Sequence, residues 1–258
     1  MEKRMSEAFS FMFKDNDWKF KMFILYLLSL VSYILAYYSN ELTETIKATK
    51  NYSLAVPFVG VLILSFVLSL PILGYSFKSI NNLIYSQPQS ENFNMLPRWE
   101  NDFFSYIMVG LRYIGASLLI GLCVGLLFIA VSAIASVSKL FLSILMIVLI
   151  ILALIYAYYF PALEVIFAMS YDFLALFKVK KAAELVKYGT SKYIRVLLLI
   201  SLVSIIFSII SALCAKSILL IILVPIINVY TFFVYVYLKS YIAYEVPAEF
   251  VEQFKAAK

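Results

Sequence analysis

Glu164 is an acidic residue inside an otherwise apolar run, and Asn228 follows Pro225 by three residues inside another. Within a bilayer such groups are candidates for ion or proton handling, because they are expensive to keep there for packing alone. Ser201, Ser204, Ser208 and Ser211 recur at helical spacing on one face. Hydroxyls in that pattern either bond across to a neighbouring helix or, given a base, act as nucleophiles. No base is at hand. The chain has His 0, which removes the commonest general base and metal ligand. A serine–lysine pair would have to draw on Lys139 or Lys216, both at span ends. Paired-aspartate proteolysis would need two carboxyls at depth, and neither Asp102 nor Asp172 is placed there. HExxH, Cys/His clusters, phosphate loops and nucleophile elbows are missing from the sequence. The expectation is a non-enzymatic protein with no catalytic residue, metal or cofactor, whose serine seam serves helix packing.

Composition names the elements that must carry these groups. Of 258 residues, 64% are hydrophobic and 14% charged, against roughly 25% charged in a soluble domain. Mean hydropathy is +0.95. A water-soluble globule of this kind could not cover its surface, which excludes a cytosolic enzyme, a disordered chain and a secreted disulfide scaffold. What remains is an all-α polytopic membrane protein. Its net charge of +6 is then an orientation signal and not a nucleic-acid site. Cys123 and Cys214 read as small buried hydrophobes.

Uncharged stretches long enough to cross a bilayer predict six transmembrane helices at Met22–Tyr38, Leu54–Leu73, Ile114–Val137, Leu140–Tyr159, Tyr193–Leu213 and Ser217–Leu238. The first is expected to stay as an anchor, since no small-x-small cleavage site precedes Asn40. The fourth run continues to Tyr171 and is expected to bend near Pro161 and follow the inner interface. On this division only Lys47, Lys50, Lys139 and Lys216, of 21 basic residues, fall in outer connections. That asymmetry predicts both termini in the cytoplasm. The chain therefore reads as one integral membrane domain, 1–258, of three hairpins, with interfacial segments 74–113 and 172–192 on the cytoplasmic side. Three coarse units (1–73, 74–171 and 172–245) each return through a span containing a proline: Pro71, Pro161 and Pro225.

Small-residue stripes mark helix contacts in lipid. Gly121 and Gly125 lie as far before the turn at Lys139 as Ala157 and Ala153 lie beyond it, which predicts close approach of spans three and four. By the same depth argument Ser204 faces Asn228 across the turn at Lys216, so the two are expected to share a hydrogen bond. The alternative is that Asn228 satisfies a carbonyl freed by Pro225 in its own helix. Glu164 lies roughly 36 Å beyond Leu140 along a straight helix, which places it at the inner interface, beside a lysine. Arg112 is expected to snorkel there. Tyr33, Tyr37 and Tyr38, and at the other end Tyr235, Tyr237, Tyr241 and Tyr244, fit interfacial belts. In Asp172–Lys192 the residues Phe173, Leu176, Phe177, Ala183 and Val186 recur at helical spacing between lysines. This predicts an amphipathic helix lying on the inner leaflet, begun by Asp172 and stopped near Gly189.

After span two the chain reads Gly74-Tyr75-Ser76-Phe77-Lys78, then Leu96-Pro97-Arg98-Trp99-Glu100, Asp102 and Gly110-Leu111-Arg112. With the leader Phe13–Lys21 and the basic stretch Phe177–Tyr193, it resembles the prokaryotic membrane-protein family known as domain of unknown function 4013. The stretch Gln87–Asn92 departs from the glycine that family often has before Leu-Pro. The resemblance implies a prokaryotic cytoplasmic membrane and no reaction. Pro97 fixes the turn, Trp99 can anchor at headgroup level, and Glu100 and Asp102 can accept from lysines. The function expected is a scaffold or accessory subunit binding lipid, a protein partner or a second copy. The alternative is a small permease with its pathway near Asn228, Pro225 and the seam of Ser204 and Ser208.

Overall fold

The structure is a computed structural model that describes residues 7–15, 17–85, 96–135, 139–215, 220–244 and 246–255. Its long elements are α1 (Trp18–Thr49), α2 (Ala55–Tyr85), α3 (Trp99–Ala135), α4 (Lys139–Ser170), α6 (Thr190–Ala215) and α7 (Leu223–Ile242). Two short helices, α5 (Val179–Lys187) and α8 (Ala248–Lys255), complete the helical set. Six helices are long and apolar enough to cross a membrane, as the hydrophobic runs require. The expected turn at Lys216 and the loop Gln87–Asn92 lie outside the described residues.

The helices outrun the uncharged stretches. Segment 74–113 is mostly helix, because α2 continues to Tyr85 and α3 begins at Trp99. Backbone pairing does not stop where an apolar run stops; it stops where the chain supplies a terminator. α1 ends at Lys50 and α4 at Tyr171, both in the left-handed region at φ 52°. Their N–H groups donate back to Ile46 and Phe167, closing the last turns. α4 passes through Pro161 as one helix. Its final part does not run along an interface as expected: Ala162, Leu163 and the run Val165–Met169 are all fully buried. α7 begins later than expected, at Leu223, so Pro225 sits in the first turn, where a missing N–H costs nothing.

α2 packs most closely on α3, with α1 beside α2 and α7 against both α2 and α6. The closest approach uses glycines, but not the predicted ones. A Cβ on Gly74 would lie 1.8 Å from the Tyr106 carbonyl oxygen, and one on Gly110 would lie 2.1 Å from that of Leu70. The two glycines are reciprocal: each helix offers a bare backbone where the other offers a carbonyl one turn away. Gly121 and Gly125, by contrast, face open space, and Ala153 and Ala157 are exposed. The predicted contact between those halves of α3 and α4 does not form. Depth matching places residues at one level but does not rotate them toward each other.

The molecule therefore has two unlike ends. At one, the starts of α1, α3 and α6 meet the finishes of α2, α4 and α7, and nearly all of the buried core lies there. At the other, Leu118–Ile129 on α3 and Ile144–Ile155 on α4 are exposed almost throughout.

Candidate functional site at the packed end

Asp15 and Lys21 form the centre of this end. Both side chains are essentially inaccessible, at 0% and 1% exposure, with Lys21 Nζ 2.7 Å from Asp15 Oδ1. Neither group is left with only its partner. Lys21 Nζ also donates to the Leu96 carbonyl at 2.9 Å, and Asp15 Oδ2 accepts from the Leu96 N–H at 2.9 Å. The ion pair thus brackets the backbone of one residue and ties the chain before α1 to the turn before α3. A buried pair holds only when its spare donors and acceptors are used, and Leu96 uses them.

Leu96 and Pro97 are buried, and Trp99, at 4% exposure, is not presented to lipid as expected. Its ring stacks on Tyr75 with centroids 4.3 Å apart and planes 1° from parallel, while Tyr106 meets both edge-on. The Tyr106 hydroxyl donates to the Arg98 carbonyl at 2.6 Å. Asp102 breaks the helical path of α3 at φ −140° and accepts from Lys78 at 3.0 Å. Gly74 and Gly110 allow this cluster to close, because they bring α2 within reach of α3. Residues that carried the family resemblance, from Gly74 and Tyr75 through Leu96, Trp99 and Asp102 to Gly110, therefore form one contiguous construction.

Next to it a cleft of about 340 Å³ opens between the start of α1 and the segment before Asp102, lined by Asp17, Phe20, Lys21, Arg98, Trp99 and Glu100.

Glu164 belongs to a second polar group. Glu164 Oε2 lies 2.8 Å from Lys239 Nζ on α7, and Oε1 accepts from the Tyr113 hydroxyl at 3.1 Å. The lysine expected beside Glu164 is therefore Lys239. With a residue exposure of 7%, the carboxylate is buried among helices, not spread on a surface, and its charge is compensated. Arg112 donates to the Tyr171 carbonyl at 3.4 Å.

The predicted hydroxyl seam does not assemble. Ser201, Ser204, Ser208 and Asn228 are exposed, and no hydrogen bond joins Ser204 to Asn228. Asn228 makes no side-chain bond to its own helix either, whereas Thr231 donates to the Ile227 carbonyl at 2.8 Å. Where α6 and α7 touch, Phe207 meets Tyr230 edge-on, and Val203 nearby on α6 is buried. That contact is aromatic, and the hydroxyls point elsewhere. The permease pathway drawn through Asn228, Pro225 and Ser208 loses its basis: Pro225 starts a helix instead of breaking one.

The amphipathic stretch is divided. Asp172 caps a short 3-10 turn, Phe173–Phe177, by accepting from the Leu174 N–H at 3.0 Å. α5 follows, and Gly189 lies just past its end. The apolar face of α5 is spent on protein, since Ala182, Leu185 and Val186 are buried. Phe173, Leu174 and Phe177 remain exposed beside it. Lys178 donates to Asp172 at 2.5 Å and holds its carboxyl below the ordinary range. Of the two cysteines, Cys214 is buried as expected, but Cys123 is exposed, and both are free.

The sequence reading quotes Gly74, Gly110 and the leader holding Asp15 and Lys21 without assigning their contacts, and it misses helix α8 and the identity of Lys239 as the partner of Glu164. Asp15 and Lys21 are six apart, a spacing that no helix rule pairs. For α8 a signal was available: Phe250 and Phe254 stand four apart among polar residues and are both buried.

No curated protein and no solved structure matches the chain. A family described as "Protein of unknown function (DUF4013)" matches residues 57–216, from the start of α2 to just past α6. That is more than half of the chain and includes Gly74, Leu96–Asp102 and Gly110, so this protein belongs to the DUF4013 family.

Proposed function

We propose that this protein is a non-enzymatic scaffold or accessory subunit of a prokaryotic cytoplasmic membrane, with both termini in the cytoplasm and the packed end as its working face. One observation carries the reading: among the described residues the polar contacts between distant parts of the chain gather at that end, from Lys21 and Asp15 on Leu96 to Asn81 on Ala168 and Glu164 with Tyr113 and Lys239. Among the described residues, Leu118–Ile129 on α3 and Ile144–Ile155 on α4 expose an almost wholly apolar surface. The basic residues favour the same orientation, since Lys14, Lys19, Arg98, Lys178, Lys180, Lys181, Lys187 and Lys239 all lie toward the packed end. A platform of this kind binds lipid headgroups, a protein or a second copy.

The test is site-directed photocrosslinking in native membranes, with the probe at Phe104, which is 75% exposed at the packed end, and at Leu126 on the apolar half. The expected result is a discrete adduct from Phe104 and only lipid from Leu126. The same unselective lipid adducts from both positions would overturn the scaffold reading, whereas a headgroup-selective lipid adduct from Phe104 alone would support it. Orientation is checked separately with Lys47→Cys and Lys178→Cys: an impermeant thiol reagent added outside should modify the first and spare the second.

A further inference from the structure

We propose that the cleft beside Asp15–Lys21 binds an ammonium-bearing phosphate ester, the headgroup chemistry of an aminophospholipid. This deepens the scaffold reading by giving its platform a ligand, and it rests on that reading only for the side of the membrane it faces.

The cleft presents both signs of charge. Arg98 is on one wall with its side chain 55% exposed, and its separation from Asp17, 3.8 Å, is long for an ion pair. Asp17 occupies the N-cap position of α1 but makes no side-chain cap hydrogen bond. The Trp18 N–H donates to the Asp15 carbonyl at 3.3 Å, and what this 32-residue helix offers the cleft is the positive end of its dipole. The Trp99 ring lies in the same wall, its indole N–H buried behind the surface. The Arg98 guanidinium and the positive end of α1 together call for a phosphate oxygen. The carboxylates of Asp17 and Glu100 call for a cation. A purely anionic ligand would leave those carboxylates facing like charge, and a purely cationic one would face Arg98 and the positive end of α1. A zwitterion meets both sets of groups.

Lys21 contributes shape and not binding, because its ammonium is held by Asp15 and the Leu96 carbonyl. At about 340 Å³ the cleft is at the small end of ligand sites, suited to a headgroup and too small for a whole lipid. The acyl chains then need an apolar ledge outside it. Phe20 lines the cleft at 49% exposure, and Phe23, at 56%, follows on the same helical face. That ledge favours a lipid over a free ester.

Trp18 and Trp99 are the two tryptophans, so Trp18→Phe leaves Trp99 as an intrinsic reporter inside the site. The full chain in detergent is titrated with dihexanoyl phosphatidylethanolamine, dihexanoyl phosphatidylglycerol, glycerophosphoethanolamine and inorganic phosphate. Saturable Trp99 fluorescence change is expected with phosphatidylethanolamine, at least tenfold tighter than with phosphatidylglycerol or phosphate. Arg98→Gln should weaken it at least tenfold, and Glu100→Gln should abolish the preference over phosphatidylglycerol. Lys19→Gln, outside the lining, should change nothing. Equal response to glycerophosphoethanolamine would support the site and assign it to a soluble ester; a much weaker one assigns it to the lipid. A non-saturable response, equal binding of phosphatidylglycerol, or indifference to Arg98→Gln in a variant with unchanged melting would overturn the proposal. None of these results depends on a captured neighbour, so this proposal and the scaffold reading fail separately.

Discussion

The two ends of this molecule are made of similar helices and behave differently. At the packed end, α2 and α3 approach until carbonyls meet bare glycine backbone, and polar groups bond to distant main chain: Lys21 to Leu96, Asn81 to Ala168 at 2.7 Å, Tyr106 to Arg98. At the other end, α3 and α4 carry Gly121, Gly125, Ala153 and Ala157, and the helices stay apart. Apolar side chains gain nothing by leaving lipid for each other, so helices associate there only through close packing and polar bonds. Small residues permit an approach, but here it is made where a specific polar bond or aromatic stack completes it.

The contrast is broken most directly at Asp15. Asp15→Asn strands a buried ammonium, and loss of one partner of such a pair costs about 3–5 kcal/mol. Lys21→Met should cost a similar amount, and the double variant Asp15→Leu with Lys21→Met should recover only part of it, because the buried Leu96 N–H and C=O then lose their partners. Denaturation in mixed micelles, followed by tryptophan fluorescence, measures all three. A single variant as stable as the wild type would mean the pair is incidental to this end.

The glycines sharpen it next. Gly74→Ala drives a Cβ into the Tyr106 backbone, a site that cannot yield without moving a helix, so the cost should approach about 3 kcal/mol. Gly121→Ala meets nothing and should stabilise by up to about 1 kcal/mol through helix propensity. Opposite signs from one substitution type are the expectation; equal effects would erase the distinction between the ends. Between them lies Glu164→Gln, which leaves Lys239, 20% exposed, short of a counter-charge at about 2 kcal/mol, between surface and buried pairs.

The six spans were legible in the sequence because each is a long uncharged run, a one-dimensional property. The pairing of Glu164 with a lysine was legible for a related reason: a buried carboxylate needs a cation. Rotation of each helix about its axis was not legible. Gly121 and Gly74 are equivalent in the text, and only the whole bundle decides which glycine faces a neighbour. The hydroxyl seam failed for this reason too. Ser204 and Asn228 match in depth, yet the contact between their helices is made by Phe207 and Tyr230. Asp15 and Lys21 were invisible on different grounds, since what joins them is the backbone of Leu96, 75 residues beyond Lys21.

The smallest expected effect is at Asp172, where the packed end gives way to its exposed margin. Lys178 lowers the carboxyl's folded-state pKa below the unfolded value, with the Leu174 N–H adding to the same direction and burial opposing it. A depressed carboxylate stabilises the fold at pH values above its unfolded pKa, and that contribution disappears as pH falls through the folded one. Both side chains are more than a third exposed or close to it, at 35% and 40%, so solvent screening limits the pair to a few tenths of a kcal/mol, up to about 1. Asp172→Asn should therefore lower stability slightly near neutral pH, and the difference from wild type should shrink below about pH 4, where the wild-type carboxyl is protonated in the unfolded chain. Added salt should shrink it as well. A difference that persisted at low pH could not come from the ion pair, which has lost its carboxylate in both chains there, and would trace instead to a poorer cap on the Leu174 N–H by the Asn side chain.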